Sequence, residues 1–159
     1  MANIVGLRID ERLIHGQVAT AWTNKLNAER IMVIDNNIIK SSMDKMALKM
    51  ACPANCKLSV LSIEKAILNL LSNKYQDERI FIISKDPKYF LQLLENNVTY
   101  DKLVLGNLAG KGEAKMLRRS VYVNEEDIEV LNKICDHGVK VILQMTPAEA
   151  GENYKDLIK

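Results

Sequence analysis

The chain has 159 residues, of which 48% are hydrophobic, and its 22 basic and 20 acidic side chains give a formal net charge of +2. This length and apolar content are enough for a core of its own, so we expect one domain over residues 1–159. The near balance of charge, without a basic stripe, argues against nucleic acid as a partner.

Apolar runs and the N-terminal residues bear on the location of the protein. No apolar run is long enough to cross a bilayer, and the N-terminus lacks the regions of a signal peptide, so we expect a cytoplasmic protein. The three cysteines are odd in number, and Cys52 and Cys56 do not have the spacing of a zinc knuckle. We therefore expect free thiols, no metal and no cofactor.

Strands and helices are predicted in alternation along the chain. Apolar, β-branched runs predict strands at residues 3–9, 29–35, 57–61, 79–84, 102–106 and 139–144. Helical spacing predicts apolar faces between them, formed by Val18, Ala21, Trp22 and Leu26, by Met43, Met46, Ala47 and Met50, by Ile63, Ala66, Ile67, Leu70 and Leu71, and by Phe90, Leu91, Leu93 and Leu94. The methionine face could suggest an adaptable binding groove, but its spacing favours a core face.

A fifth helix is predicted to begin at Asn124, whose side chain can cap it, and to end at Gly138. Such alternation predicts a three-layer α/β fold with a mostly parallel central sheet and helices on both faces. Residues 107–123 leave no room for a long helix after a Gly-rich turn. We expect them to form an antiparallel pairing at one sheet edge.

The loop that leaves the first strand concentrates groups able to do chemistry. Ligands bind beyond the carboxyl ends of strands in open α/β sheets, which directs attention to this loop. Its candidate residues are Asp10, Glu11, Arg12, His15, Gly16 and Gln17.

These residue types suit reversible phosphoryl transfer. A neutral imidazole such as that of His15 is a nucleophile near neutral pH, and its phosphorylated nitrogen remains a good leaving group. Guanidinium groups, here Arg12 and Arg8, hold phosphate oxygens through paired hydrogen bonds. The backbone donors of Gly16 and Gln17, at the start of a helix, favour the same anion.

Plainer interpretations stand beside these. A loop histidine is often only hydrogen-bonded to the chain, and an arginine beside an aspartate is often a surface ion pair. Asp35, which closes the second strand, could orient the imidazole or an arginine, or else Asp35, Asn36 or Asn37 could equally cap the next helix. His137 precedes Gly138 at a helix end, where its side chain can interact favourably with the negative end of the helix dipole.

The segment GNLAGKG at residues 106–112 looks like a phosphate loop but does not satisfy that motif. The glycine spacing is one residue short, and no Ser or Thr follows Lys111 to hold magnesium, which argues against nucleotide binding. A looser role remains open, in which Lys111, Arg118 or Arg119 helps hold phosphate or a partner. Solvated basic side chains are the alternative.

The run IVGLRIDERLIHGQVATAW resembles the opening of the enzyme IIB component of the mannose/fructose/sorbose family of the bacterial phosphoenolpyruvate-dependent sugar phosphotransferase system. The family motif, Asp, any residue, Arg, Leu, Ile, His, Gly, Gln, Val, occupies Asp10 to Val18. The resemblance extends through IMVID, LKMACP, KLSVLSIEKA and VNEEDIEVLNKICDHGVKV. It weakens at residues 106–112, where family members often carry Gly-Gly-Met, in a loop near the family's phosphotransfer cleft.

The resemblance implies a protein-phosphohistidine:sugar phosphotransferase. Such proteins accept a phosphoryl group from a histidine of the IIA partner and pass it to a sugar brought through the membrane by the IIC and IID subunits. His15 matches the phosphorylated position, with Nδ1 as the implied atom, and Arg12 matches an arginine that steadies the phosphate. We take Arg8, Asp10, Gly16, Gln17 and Asp35 as further candidates for phosphate or partner binding. Contact with the transport subunits would place the protein at the inner membrane face.

Two other classes of function compete with this interpretation. A regulatory binding protein, phosphorylated on histidine without delivery to sugar, would show the same acceptor loop. A small hydrolase using His15 as general base would need a nearby nucleophile or metal site, and the loop offers neither a serine nor a ligand cluster.

Overall fold

The computed structural model describes residues 2–158. Its elements in chain order are β1 (Asn3–Asp10), α1 (Gly16–Leu26), β2 (Arg30–Ile34), a 3-10 turn (Ile38–Lys40), α2 (Ser42–Ala51), β3 (Lys57–Leu61), α3 (Ile63–Leu71), β4 (Arg79–Ser84), α4 (Pro87–Glu95), β5 (Lys102–Asn107), β6 (Lys115–Arg118), β7 (Val121–Val123), α5 (Glu125–Asp136), β8 (Lys140–Leu143), β9 (Glu152–Asn153) and α6 (Tyr154–Leu157). None of these helices is long and apolar enough to cross a membrane.

Seven strands form the central sheet in the order β3-β2-β4-β1-β5-β8-β9. Every neighbouring pair is parallel except β8 and β9, which confirms the predicted mostly parallel sheet. The six predicted strands coincide with observed ones to within about a residue at each end. Buried parallel strands read as continuous apolar runs, which is why the sequence located them well.

Two cores lie on opposite faces of the sheet, completing the three layers. Alternation along β2 sends Met32 and Ile34 into the core shared with α3, α4, α5 and α6. Ile31 and Val33 enter the core shared with α1 and α2. Both sets are fully buried.

The antiparallel edge is present, but residues 107–123 do not make it. The edge strand is β9, paired with β8. Residues 107–123 do contain an antiparallel pair, β6 with β7, as a separate two-stranded sheet. Leu108 ties this pair to the end of β5 by hydrogen bonds with Ser120 and Tyr122. Because β1 and β8 occupy both sides of β5, the pair can only continue beyond its end.

The prediction that the methionine face of α2 belongs to the core is wrong. Met43, Met46 and Met50 are 81%, 65% and 81% exposed, while Leu48 is buried. Leu48 and the partly buried Cys52 are four residues apart and form a second apolar stripe. The helix packs through this stripe, which the spacing of the methionines did not indicate.

The fifth helix has the predicted ends. The Asn124 side chain accepts from the Asp127 amide at 2.8 Å, while the Asp127 carboxylate accepts from the Asn124 amide at 3.1 Å. This reciprocal capping box satisfies two donors at the helix start. Beyond His137, Gly138 takes φ +88°, a left-handed conformation that ends the helix.

Candidate functional site

The loop between β1 and α1 is a tight, anchored structure at the carboxyl end of the central strand. The Leu13 amide donates to the Asp10 carbonyl at 3.0 Å, and the Arg12 amide donates to Asp10 Oδ1 at 2.9 Å. Leu13 has φ 58°, an unfavourable left-handed conformation for its side chain. Leu13 and Ile14 are buried in the core beneath α1, which holds the loop in place.

Asp10 is the centre of this loop's polar contacts, although its side chain is only 1% exposed. Its Oδ2 lies 3.0 Å from His15 Nε2 and 3.3 Å from Arg8 Nε. Its Oδ1, besides the Arg12 amide, lies 3.8 Å from Arg12 Nε. A buried carboxylate needs such partners, and their number fixes its orientation.

The imidazole of His15 remains open to the exterior, with 23% of its side chain exposed. His15 is the N-cap residue of α1, so its ring lies at the positive end of the helix dipole. Because an ionised carboxylate only accepts hydrogen bonds, the contact with Asp10 assigns the ring proton to Nε2. The lone pair is then on Nδ1, which can act as a nucleophile.

Arg8 lies in the interior and does not face the opening. Its side chain is 2% exposed, and its guanidinium carbon lies 5.3 Å from the centre of the Trp22 ring. Nη1 donates to the Gln144 carbonyl at 2.9 Å. Burial lowers the pKa of Arg8, and the Asp10 carboxylate opposes that shift. Arg8 is therefore a charged support for Asp10, without direct access to a phosphoryl group.

Arg12 has the opposite environment, with 50% of its side chain exposed. Apart from Asp10, its guanidinium contacts the Met145 sulfur, 3.9 Å from Nη2. A guanidinium so loosely engaged can turn its donors towards an anion beside His15.

The segment 144–149, just beyond β8, forms a wall of the site that sequence analysis missed. Met145 Sδ lies 3.5 Å from Arg8 Nη2, and the Met145 carbonyl accepts from Trp22 Nε1 at 2.9 Å. Gln144 supplies the carbonyl that binds Arg8. More than 120 residues separate this segment from the loop, and no local motif marks it. Only the placement of β8 beside β5 brings the two together.

Gly16 and Gln17 lie at the start of α1 beside His15, as predicted. The first bond of the helix runs from the Ala19 amide to the His15 carbonyl, so the amides of Gly16 and Gln17 precede the helical ladder. Gly16 has φ +45° with open space where a Cβ would stand. The Gln17 side chain is exposed. The two amides are thus available to an anion near the imidazole.

Asp35 lies away from His15 because β4 separates β2 from β1. Its Oδ1 accepts from the amides of Asn37 and Ile38 at 2.8 and 2.9 Å, and Oδ2 lies 3.9 Å from Lys85 Nζ. Asp35 thus caps the 3-10 turn that begins at Ile38, whereas the next helix, α2, is capped by Ser41. The idea that Asp35 orients the imidazole required β1 and β2 to be neighbours.

The loop at residues 106–112 contacts the far side of the His15 loop. The Glu11 amide donates to the Asn107 carbonyl at 3.1 Å. Glu11, Lys85 and Lys111 line a polar cleft of about 560 Å³ at the carboxyl ends of the strands. Arg118 is engaged elsewhere, within hydrogen-bonding distance of the Leu143 carbonyl and Glu149.

Neither metal nor disulfide chemistry finds support in the described residues. Between residues 2 and 158, no group of three or more His, Cys, Asp or Glu side chains is arranged to hold a metal ion. Cys52, Cys56 and Cys135 are free thiols, as predicted, and burial raises the pKa of each.

Comparison with known proteins gives one consistent result. The family profile described as "PTS system sorbose subfamily IIB component" matches residues 4–159. The sorbose-specific EIIB component of Klebsiella pneumoniae is 32% identical, over 95% of this chain and 92% of that protein. The mannose-specific EIIAB component of Escherichia coli K12 is 30% identical, over 98% of this chain but 48% of that longer protein.

A solved structure agrees with the sequence matches. The crystal structure of the IIBSor domain of the sorbose permease from Klebsiella pneumoniae superposes with a TM-score of 0.94 at 31% identity. The superposition covers 98% of this chain and 96% of that one. The similarity therefore extends over the whole central sheet and its surrounding helices.

Proposed function

The chain belongs to the sorbose-subfamily IIB components of the PTS, and from that premise we propose that His15 accepts a phosphoryl group from a phosphohistidine of a IIA partner and transfers it to a sugar during membrane uptake. The observation that carries the proposal is the open imidazole of His15, hydrogen-bonded through Nε2 to the buried Asp10. This contact leaves the Nδ1 lone pair unengaged by Asp10, which supports Nδ1 as the acceptor atom.

Phosphoryl transfer to His15 is a substitution at phosphorus. A bond forms from His15 Nδ1 to the phosphorus as the bond to the partner's histidine nitrogen breaks, and the partner's imidazole keeps the electron pair. In the second step, a sugar hydroxyl attacks the phosphorus, loses its proton to a base of the transport subunits or to water, and releases Nδ1. Asp10 holds the Nε2 proton through both steps and balances the positive charge of the phosphorylated ring.

Arg12 and the helix start serve the transferred group itself. The mobile, half-exposed guanidinium of Arg12 can bind equatorial phosphate oxygens as charge gathers on them. The amides of Gly16 and Gln17 would bind the same oxygens from the other side. Arg8 would act on the site only indirectly, because its hydrogen-bond donors are bound to Asp10 and to the Gln144 carbonyl.

The relatives and the family resemblance support a set of partners for this chain. The Escherichia coli relative is an EIIAB component, in which the matched region is about half of a longer chain. We propose that this chain receives phosphate from a IIA protein or domain and delivers it to membrane IIC and IID subunits. It would then work in the cytoplasm and at the inner face of the membrane, without a cofactor.

Phosphorylation in solution tests the acceptor. The chain is incubated with labelled phosphoenolpyruvate, the two general phosphotransfer proteins and a IIA protein, and acid-labile, base-stable label is measured. His15→Ala should abolish the label. His137→Ala is the matched control, because His137 is the only other histidine and caps a distant helix end. Full labelling of His15→Ala contradicts the assignment.

Delivery to sugar needs a second measurement. Membranes containing IIC and IID subunits are added to the labelled chain with candidate sugars, and sugar phosphate is quantified. The expected result is transfer of label from His15 to sugar. A chain that takes up label but gives none to any sugar contradicts the delivery step, and such a result would favour a regulatory role.

A further inference from the structure

The segment 144–149 stands against the two arginines of the β1 loop. Met145 Sδ lies 3.5 Å from Arg8 Nη2 and 3.9 Å from Arg12 Nη2. The thioether is a weak hydrogen-bond acceptor, so these contacts restrict the arginine side chains sterically and contribute little binding energy. For Arg12, the methionine closes one side of the space through which its guanidinium could swing.

We propose that Met145 is a positioning residue for phosphoryl transfer, which confines the Arg12 guanidinium to the side of the loop that faces His15. The inference rests on the proposed function, and it assigns a role to a segment that the acceptor motif does not contain. The polar contacts of the Met145 sulfur are with Arg8 and Arg12. It acts through Arg12.

Arg12 needs this restraint because its other anchor is weak. The guanidinium lies 3.8 Å from Asp10 Oδ1, beyond the distance of a good charged hydrogen bond, and half of the side chain is exposed. A long, mobile arginine loses conformational freedom when it binds an anion in one geometry. If the Met145 side chain already excludes unproductive rotamers of Arg12, less conformational entropy is lost when Arg12 binds the phosphoryl group in the transition state.

The segment is itself held firmly, which allows Met145 to act as a fixed wall. Glu149 Oε1 accepts from the Met145 amide at 2.8 Å and lies 3.1 Å from Arg118 Nη2. Gln144 Nε2 donates to the Glu149 carbonyl at 2.9 Å. The Met145 carbonyl, finally, accepts from the indole of Trp22. These bonds connect β6, the segment and α1.

The network includes its own spectroscopic probe. Trp22 is the single tryptophan of the chain, and its indole donates to the Met145 carbonyl. Its emission therefore reports whether the segment stays in place. A variant with unchanged emission and thermal midpoint has lost the Met145 side chain without losing the fold.

A double-mutant cycle separates positioning from a general structural effect. The rate of phosphoryl transfer from phosphorylated IIA is measured for the parent chain, Met145→Ala, Arg12→Ala and the double variant. We expect Met145→Ala to lower kcat about fivefold with little change in KM, and to have almost no further effect once Arg12 is absent. Met145→Leu, which keeps the volume of the side chain, should restore most of the rate.

Each result decides the matter. Equal losses from Met145→Ala with and without Arg12 overturn the proposal, as does an unchanged rate in Met145→Ala. If Met145→Ala misfolds, the cycle is repeated with Met145→Val in its place, which removes less of the side chain, and additivity overturns the proposal in the same way. A parent chain that takes no label on His15 instead contradicts the proposed function, which the labelling experiment detects before any Met145 variant is compared.

Discussion

Gly106 and Arg8 occupy adjoining space so closely that a Cβ on Gly106 would lie 2.2 Å from the Arg8 guanidinium carbon. The guanidinium cannot easily move aside, because it binds Asp10 and the Gln144 carbonyl. We predict that Gly106→Ala lowers the free energy of unfolding by about 1–3 kcal/mol, the usual cost of overpacking. It should also slow phosphorylation by displacing Asp10. Urea unfolding and the labelling rate measure the two effects.

The control for this prediction is Gly6→Ala. A Cβ on Gly6 would lie 2.5 Å from Leu26 Cδ1, a comparable overlap. Leu26, however, borders a cleft of about 440 Å³ into which its side chain can rotate. Gly6→Ala should therefore cost less stability and leave phosphorylation unchanged. Equal losses of activity in both variants would contradict the special role of the space beside Arg8.

Asp10→Asn tests the support of the imidazole. The amide keeps the shape of the carboxylate, but it is neutral. It therefore lacks the negative charge with which Asp10 accepts hydrogen bonds from Arg8 and His15. We predict a fall of roughly 10–100-fold in the phosphorylation rate of His15, by analogy with the loss that follows removal of the carboxylate partners of metal-binding histidines. The exposed Asp77 offers the matched control, since Asp77→Asn should transfer phosphate at the parent rate. An unchanged rate in Asp10→Asn would exclude Asp10 from the mechanism.

The sequence predicted the layers of this fold better than the details of its site. Buried parallel strands are marked by local composition, as in β4, which is buried from Ile80 to Ser84 and whose predicted and observed limits agree. The loop with Asp10 and His15 was recognisable because its groups are adjacent in the chain. The sequence does not state the order of strands, so it could not show that β4 separates Asp35 from His15.

The same limit applies to contacts made across the sheet. Met145 and Gln144 reach the β1 loop only because β8 lies next to β5. Arg8 lies near the end of β1, and local pattern alone does not distinguish a side chain that emerges at the strand end from one packed against Trp22 of α1. Tertiary placement decided both, and no periodicity in the sequence encodes it.

The ion pair of Glu78 with Arg30 predicts a pH dependence of stability. Arg30 Nε and Nη2 donate to Oε2 and Oε1 of Glu78 at 2.9 and 3.0 Å, and this hydrogen bonding lowers the pKa of Glu78 below its ordinary 4.5. A carboxylate whose pKa is lower in the folded state stabilises that state at pH values above its unfolded-state pKa. This stabilisation is lost as the pH falls through the folded-state pKa. Glu78→Gln should cost about 1 kcal/mol at neutral pH.

That difference should shrink as the pH falls below 4.5 and vanish once Glu78 is protonated in both states. Urea unfolding of the parent and of Glu78→Gln at a series of pH values measures it. The exposed Glu113 provides the control, because Glu113→Gln should show no such trend. A constant difference at all pH values would mean that the ionised pair contributes nothing.

The exposed methionines of α2 predict which side of that helix carries stability. Met46 is 65% exposed, whereas Leu48, two residues on, is 6% exposed in the core beneath α1 and α2. Met46→Gln should change the free energy of unfolding by less than about 0.5 kcal/mol, because surface substitutions remove no buried contact. Leu48→Ala should cost about 2–4 kcal/mol through lost burial and a residual cavity. Urea unfolding of the two variants decides between the faces, since a core role for the methionine stripe requires the larger loss at Met46.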